Sequence, residues 1–309
     1  MRTSLENVAY GGWDHCLRLS DGNVELVVTL DVGPRVIRLG TVGGQNLFKE
    51  FNDQMGKTTG TAWMAFGGHR FWHAPEVFPR TYAPDFEPVP YVWEHEVLKL
   101  IQKTEPENGI QKEIEITMQE GKIRLTHRLI NCNPWAVELA PWCLSVMAAG
   151  GRVLVPQEDF LPHPDVLIPA RPLVLWHFTR MNDPRFTWGD RLIQLREDAQ
   201  FDSKQKFGIR NTLGWAAYEL GNDLFIKSTP LLSDATYPDL GCNFEFFTMP
   251  GFLEVESLGP LVKLEPDAAT EHLERWWVIP NVHLPKEEAL LVSALNLHLE
   301  DLGLRRIKV

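Results

Sequence analysis

Short segments of alternating or β-branched character recur from one end of this chain to the other, divided by Gly, Pro, Asn and Asp, and they leave little room for helix. In the first half they run Val24 to Leu30, Arg35 to Leu39, Val92 to Gln102, Lys112 to Met118, Lys122 to Ile130 and Val137 to Met147. Leu192 to Leu195, Trp215 to Leu220, Leu224 to Ser228, Asn243 to Thr248, Phe252 to Ser257 and His272 to Ile279 continue the pattern. Glu120-Gly121, between two such segments, predicts a tight hairpin. Only Lys286 to Asp301 departs: Leu290, Leu291, Ala294, Leu295 and Leu297 suit either a short amphipathic helix or a final strand. Strands so outnumber helices that an all-β fold is expected, a large and mostly antiparallel sandwich with few short helices.

No shift in composition marks a boundary, so residues 1–309 read as one sandwich domain. Tyr82 to Pro90 reads as an extended loop, and the proline-rich run Pro156 to Pro172 as a long surface excursion of the kind that often carries function. The formal charge of −11 argues against a nucleic-acid partner or an anionic membrane, because both require a concentrated basic face. The first residues lack a secretion signal and no window approaches the ~18 apolar residues of a membrane span, which predicts a cytoplasmic protein. Cys16, Cys132, Cys143 and Cys242 have no paired spacing and sit in apolar surroundings, as buried reduced thiols would. Eleven Trp, sixteen Phe and five Tyr offer flat apolar faces on which sugar rings can stack, although core packing is the ordinary use of any one of them.

The densest set of reactive groups is Phe66-Gly67-Gly68-His69-Arg70-Phe71-Trp72-His73-Ala74-Pro75-Glu76. The glycine pair and Pro75 predict an irregular connection presenting its side chains. His69 and His73 at a spacing of four could share a helix face as zinc ligands. Gly67, Gly68 and Pro75 fit a helix poorly, and no metal is expected. The structural alternative is that these groups bond backbone carbonyls and stack on Trp72.

A second cluster lies in Gly241 to Thr248 and Gly251 to Pro260, read as two strands. With a period of two, Glu254 and Glu256 share one face while Leu253 and Val255 share the other. Asn243 and Glu245 share a face in the same way. The alternative is that these acids face solvent on a half-exposed sheet.

Phe66 to Glu76, the Tyr237-Pro238-Asp239 turn before Gly241 to Glu245, Leu253 to Pro260, and Pro266-Asp267 followed by His272 and Trp276 resemble the galactose mutarotase-like (aldose epimerase-like) superfamily, in a bacterial branch. Gly11-Gly12-Trp13, Asp31 to Arg38, Lys206-Phe207-Gly208 and Gly214 to Tyr218 extend the resemblance over most of the chain. It implies a super-sandwich whose concave face binds carbohydrate. It also implies cofactor-free chemistry, in which a strand carboxylate takes the anomeric hydroxyl proton and a histidine protonates the ring oxygen. Carried over by position, Glu256 matches the base, with Glu254 as alternate. His69 and Arg70 match the loop that supplies substrate contacts. Where the epimerases carry their acid histidine on a central strand, this chain has Pro141 to Met147 and no histidine. His69 or His73 would then supply the proton.

Trp72, His73, Glu76, Lys206, Tyr237 and Asn243 complete the expected binding set. Arg70, Lys206, Arg210 and Lys227 could hold a charged sugar, with Arg70 suited to a phosphate or uronate through its guanidinium fork. Three readings follow: a cofactor-free sugar mutarotase or isomerase acting on a mono- or oligosaccharide, a non-catalytic carbohydrate-binding protein, and a polysaccharide lyase or glycoside hydrolase, which would need paired carboxylates such as Glu76 and Glu256. Oligomeric state is left open.

Overall fold

A computed structural model describes residues 2–308. In chain order its strands are β1 Ser4–Tyr10, β2 Trp13–Ser20, β3 Val24–Thr29, β4 Arg35–Thr41, β5 Gly68–Ala74, β6 Tyr91–Glu94, β7 Val97–Ile101, β8 Ile110–Gln119, β9 Lys122–Asn131, β10 Val137–Ala148 and β11 Arg152–Pro156. They continue as β12 Leu173–Leu175, β13 Phe186–Trp188, β14 Leu192–Arg196, β15 Gln205–Ile209, β16 Trp215–Leu220, β17 Asp223–Ser228, β18 Phe244–Met249, β19 Phe252–Leu258, β20 Val262–Leu264 and β21 Ala269–Ile279, followed by helix α1, Glu288–Asp301. One sheet has the order β1-β2-β3-β4-β5-β10-β19-β18-β15-β12, with β20 added against the start of β10. The other runs β13-β14-β11-β16-β17-β21-β9-β8-β7-β6.

The expected all-β sandwich is what forms, and hydrophobic alternation accounts for it. Leu17, Leu26, Val36, Phe71, Cys143, Val255 and Phe246 from the first sheet pack against Ile114, Leu125, Val153, Phe225 and Trp276 from the second in one buried layer. The Glu120-Gly121 hairpin joins β8 to β9, both residues at positive φ (52° and 76°), as a type I′ turn requires. Val92 to Gln102 is divided by a second tight turn, His95 and Glu96 at φ 51° and 61°, into β6 and β7.

The ambiguous C-terminal segment is a helix. Glu287 caps it by accepting hydrogen bonds from the amides of Ala289 and Leu290, at 3.0 Å each, worth about 1 kcal/mol. Leu291, Val292, Leu295 and Leu299 bury against Trp215, Ala217, Ile226 and Trp277 on the outer face of the ten-stranded sheet. At about 1.5–3 kcal/mol per buried side chain, that burial outweighs the cap and decides for helix. Cys16, Cys143 and Cys242 are buried as expected, whereas Cys132 is exposed. Residues 157–172 form neither strand nor helix.

The expected irregular connection at 66–76 is corrected. Gly68–Ala74 is a strand, buried along its whole length and paired with β10 and the start of β4. The glycine pair belongs to the approach: a Cβ on Gly67 would stand 1.9 Å from the Lys49 carbonyl oxygen, and one on Gly68 2.2 Å from that of Val36. A strand with both faces covered shows no polar–apolar alternation, which is why His69, Arg70 and His73 read as a loop.

Candidate functional site

Strand periodicity sorts the reactive residues onto two sides of the eleven-stranded sheet. On β5, β10, β19, β18 and β15, Phe71, Cys143, Val255, Phe246 and Phe207 enter the inter-sheet core. Their neighbours in sequence, Arg70 and Trp72, Trp142, Glu254 and Glu256, Glu245 and Lys206, therefore lie on the outer face. Register aligns them: Arg70 opposes Leu144, Leu144 opposes Glu256, Glu256 opposes Glu245, and Glu245 opposes Gly208. Gly208 gives the row its room, since a Cβ there would stand 3.3 Å from Glu245 Cγ and 2.5 Å from Cys242 Sγ.

Two carboxylates directly opposite each other repel, and Lys206 resolves the conflict. Its Nζ lies 2.8 Å from Glu245 Oε2 and 3.1 Å from Glu256 Oε2. Trp142 Nε1 donates to the same Glu256 oxygen at 2.9 Å. The ammonium sits 5.0 Å from the Trp142 ring centre and 4.6 Å from that of Trp176, which follows edge strand β12. Arg70 Nη2 donates to Glu254 Oε1 at 3.0 Å, with its guanidinium 4.5 Å from the Trp72 ring centre and 5.3 Å from that of Trp63.

This floor is buried yet incompletely bonded. Arg70 Nε and Nη1, Glu245 Oε1 and Glu256 Oε1 have no hydrogen-bond partner among the described residues, although a buried polar atom ordinarily finds one. Burial pushes Glu245 well above the usual carboxyl range, Lys206 pulls it back, and the Glu256 and Asp239 carboxylates push it up again. Burial raises Glu256 too, opposed by Lys206 and aided by Glu254. Burial alone would lower Lys206, but the Glu256 and Glu245 carboxylates hold it charged. The arrangement is two acidic side chains bridged by one ammonium, with a guanidinium across the row.

His69 and His73 fall on the other side, so the expectation that either shares a pocket with Glu256 as a loop acid is corrected. His69 is 0% exposed. Its Nε2 lies 2.8 Å from His127 Nε2 and its Nδ1 3.0 Å from Ser145 Oγ. Beside it Lys227 pairs with Glu274 at 2.7 Å and donates to Ser145 Oγ and the carbonyls of Cys143 and Val255. Ser257 and Trp276 donate to Glu274 as well. Burial, then the Lys227 charge, pushes His69 well below the usual imidazole range and His127 down to about 3. His272 is lowered to about 3 by burial, against the pull of Glu274. Ligand atoms of His69, His127 and Cys143, and of Cys143, His272 and Glu274, lie within 4.8 Å of one another. A resident ammonium already supplies the positive charge there, and the bonds close on themselves. This cluster ties the sheets together. His73 is buried on the same side with both ring nitrogens unpartnered, lowered to about 3 by burial and then by Lys112.

Of the remaining expected residues, Glu76 is exposed and accepts from the Tyr82 hydroxyl. Tyr237 and Asn243 are buried scaffold: the Tyr237 hydroxyl accepts from Leu232 N, while Asn243 bonds both the amide and the carbonyl of Asn211. Arg210 donates to the Ser233 carbonyl and covers Tyr237. Glu256, Glu254, Arg70, Trp72 and Lys206 are brought together. The expected set omitted Glu245, Trp142, Trp63 and Trp176. The alternation that selected Glu256 also marks Glu245, but only pairing registers show that the two are opposite.

No protein-family model matches the chain, and no curated protein matches it in sequence. Solved structures do match in fold. The Slr1438 protein from Synechocystis sp. PCC 6803 is 11% identical with TM-score 0.56, over 89% of this chain and 99% of that one. A galactose mutarotase-like protein from Lactobacillus casei ATCC 334 gives 10% and 0.53, over 85% and 100%. A putative aldose 1-epimerase from Escherichia coli K12 gives 10% and 0.53, over 90% and 100%. The fold is thus that of the galactose mutarotase-like proteins, as the sequence resemblance implied.

Proposed function

We infer that this chain binds a carbohydrate on the outer face of the eleven-stranded sheet and moves protons at its anomeric centre, as a cofactor-free mutarotase or isomerase. The observation that carries this reading is the set of buried, unpartnered donors and acceptors at Arg70, Glu245 and Glu256, walled by Trp63, Trp72, Trp142 and Trp176. A sugar hydroxyl both donates and accepts, and a sugar ring presents C–H groups to aromatic faces, so one ligand class satisfies all of these groups.

In this reading Glu256 Oε1 takes the anomeric hydroxyl proton while the Glu245 carboxyl gives its proton to the ring oxygen. The bond from ring oxygen to anomeric carbon breaks, leaving an open-chain carbonyl. Rotation and the reverse transfers close the ring on the other face and restore both groups. Glu245 takes the place of the strand histidine, and burial beside Glu256 raises its hold on a proton, against the pull of Lys206. Lys206 keeps Glu256 in place and balances the carboxylate charge.

A binding-only reading is favoured by two facts: Glu256 is 0% exposed, and one of its oxygens is held by both Lys206 and Trp142. Saturation-transfer NMR against hexoses, pentoses, uronic acids and sugar phosphates, with anomeric exchange read in the same samples, separates the two. Exchange faster than buffer, reduced about 10²–10⁴-fold in Glu256→Gln, is the expected result. Saturation transfer with no acceleration would establish binding alone.

A further inference from the structure

A wide opening lies across an aromatic wall from the charged floor. A groove of about 790 Å³ is bounded by Trp63, Phe78, Tyr82 and Trp135, with Arg80 and Glu107 at its polar edge. That volume falls within the roughly 300–1,000 Å³ of small-molecule sites. Trp63, Tyr82 and Trp72 form one aromatic partition, with ring centres 5.4, 5.1 and 5.0 Å apart in pairs. Arg70 covers Trp63 and Trp72 from the floor, while Trp63 and Tyr82 line the groove, so the two compartments share a wall. Phe78 packs 5.9 Å from Tyr82 yet is 81% exposed, and Trp135 is 62% exposed. Large aromatic side chains exposed together beside one groove are the kind of apolar surface that binding sites present.

We propose that this groove is a second saccharide subsite, so that the ligand is an oligosaccharide or the end of a glycan, with one ring over the charged floor and further rings along the aromatic walls. The proposal rests on the carbohydrate reading above and names its substrate class. Two features select sugar over other occupants. Arg80 and Glu107 both line the groove and neither makes an ion pair among the described residues, so a charged donor and a charged acceptor stand beside the stacking faces. The groove also lies just across the Trp63–Tyr82 wall from a floor whose own polar atoms lack hydrogen-bond partners among the described residues. A proline-rich peptide offers carbonyl acceptors but few donors, and would leave Glu107 and the floor acids without partners.

The test is a glycan array of mono- to hexasaccharides probed with the full chain, Glu256→Gln, Trp135→Ala and the Phe78→Ala/Trp135→Ala pair. Both aromatic side chains are largely exposed, so these variants keep the fold, which thermal melting checks. Oligosaccharides are expected to bind at least about tenfold more tightly than their monosaccharides, with the preference lost in the double variant. Equal affinity for long and short sugars, a preference that survives the double variant, or silence across the array overturns the proposal. A dimer that dissociates in the double variant overturns it in favour of a protein interface. If chain-length preference is present but Glu256→Gln leaves anomeric exchange unchanged, the subsite stands and the catalytic reading falls.

Discussion

Lys206 and Lys227 are both buried, both pair with glutamate, and lie on opposite sides of the same sheet. Lys227 meets one carboxylate, Glu274, and three further oxygens, in a cluster where the imidazoles of His69, His127 and His272 also find partners. Lys206 is shared by two carboxylates that oppose each other, and polar atoms around it are left over. The first arrangement is finished and holds the sheets together. The second leaves Arg70 Nε and Nη1, Glu245 Oε1 and Glu256 Oε1 without partners among the described residues. Buried charge by itself therefore does not mark a site; the functional reading rests instead on several leftover donors and acceptors gathered in one row beside aromatic faces.

The comparison can be broken by removing each lysine in turn. Lys227→Met leaves the Glu274 carboxylate wholly buried and unpaired, and should cost about 3–5 kcal/mol in urea unfolding. Lys206→Met should cost less than half as much, because Glu245 can hold a proton beside Glu256. Equal losses would mean that both clusters are scaffold.

Acid sharpens the same contrast through opposite signs. The folded-state pKa values of His127, His272 and His73 lie near 3, with that of His69 also depressed, against about 6.5 unfolded. The unfolded chain thus binds more protons in this window. The stability these groups support is complete above pH 6.5 and falls as pH drops toward 3, each adding a slope of up to about 1.4 kcal/mol per pH unit. Glu245 runs the other way: its raised folded value gives stability that is complete below its ordinary 4.5 and lost as pH rises through the raised value. His127→Gln should flatten the acid limb of a stability–pH curve, and Glu245→Gln should gain on the parent protein as pH rises. Parallel curves for all three proteins would contradict the assignment.

Much of the fold was legible because strand alternation and turn residues are local. The β8–β9 hairpin follows from Glu120-Gly121 between two alternating runs, and Glu254 and Glu256 are placed on one face by counting alone. The site was half legible for the same reason. Counting also separates Arg70 from His69, but only for a reader who knows that 68–74 is a strand, and full burial on both sides hides that. Glu245, Trp142 and Trp176 reach Glu256 or Lys206 through pairing between distant segments, which no local pattern encodes. The helix at 288–301 was equally undecidable until the sheet face it covers was known.

A smaller effect is expected from His69→Gln, which keeps one hydrogen-bonding end at the His127 and Ser145 positions and should cost about 1–3 kcal/mol of stability. It also supplies the most direct test of the central claim, that the chemistry lies on the outer face of the sheet. Anomeric exchange of the best-bound sugar should be measured for the parent chain, His69→Gln and Glu256→Gln under conditions where all three are folded. The account predicts exchange within about twofold of the parent for His69→Gln and loss for Glu256→Gln. Loss in His69→Gln with exchange retained in Glu256→Gln would place the chemistry between the sheets and contradict it.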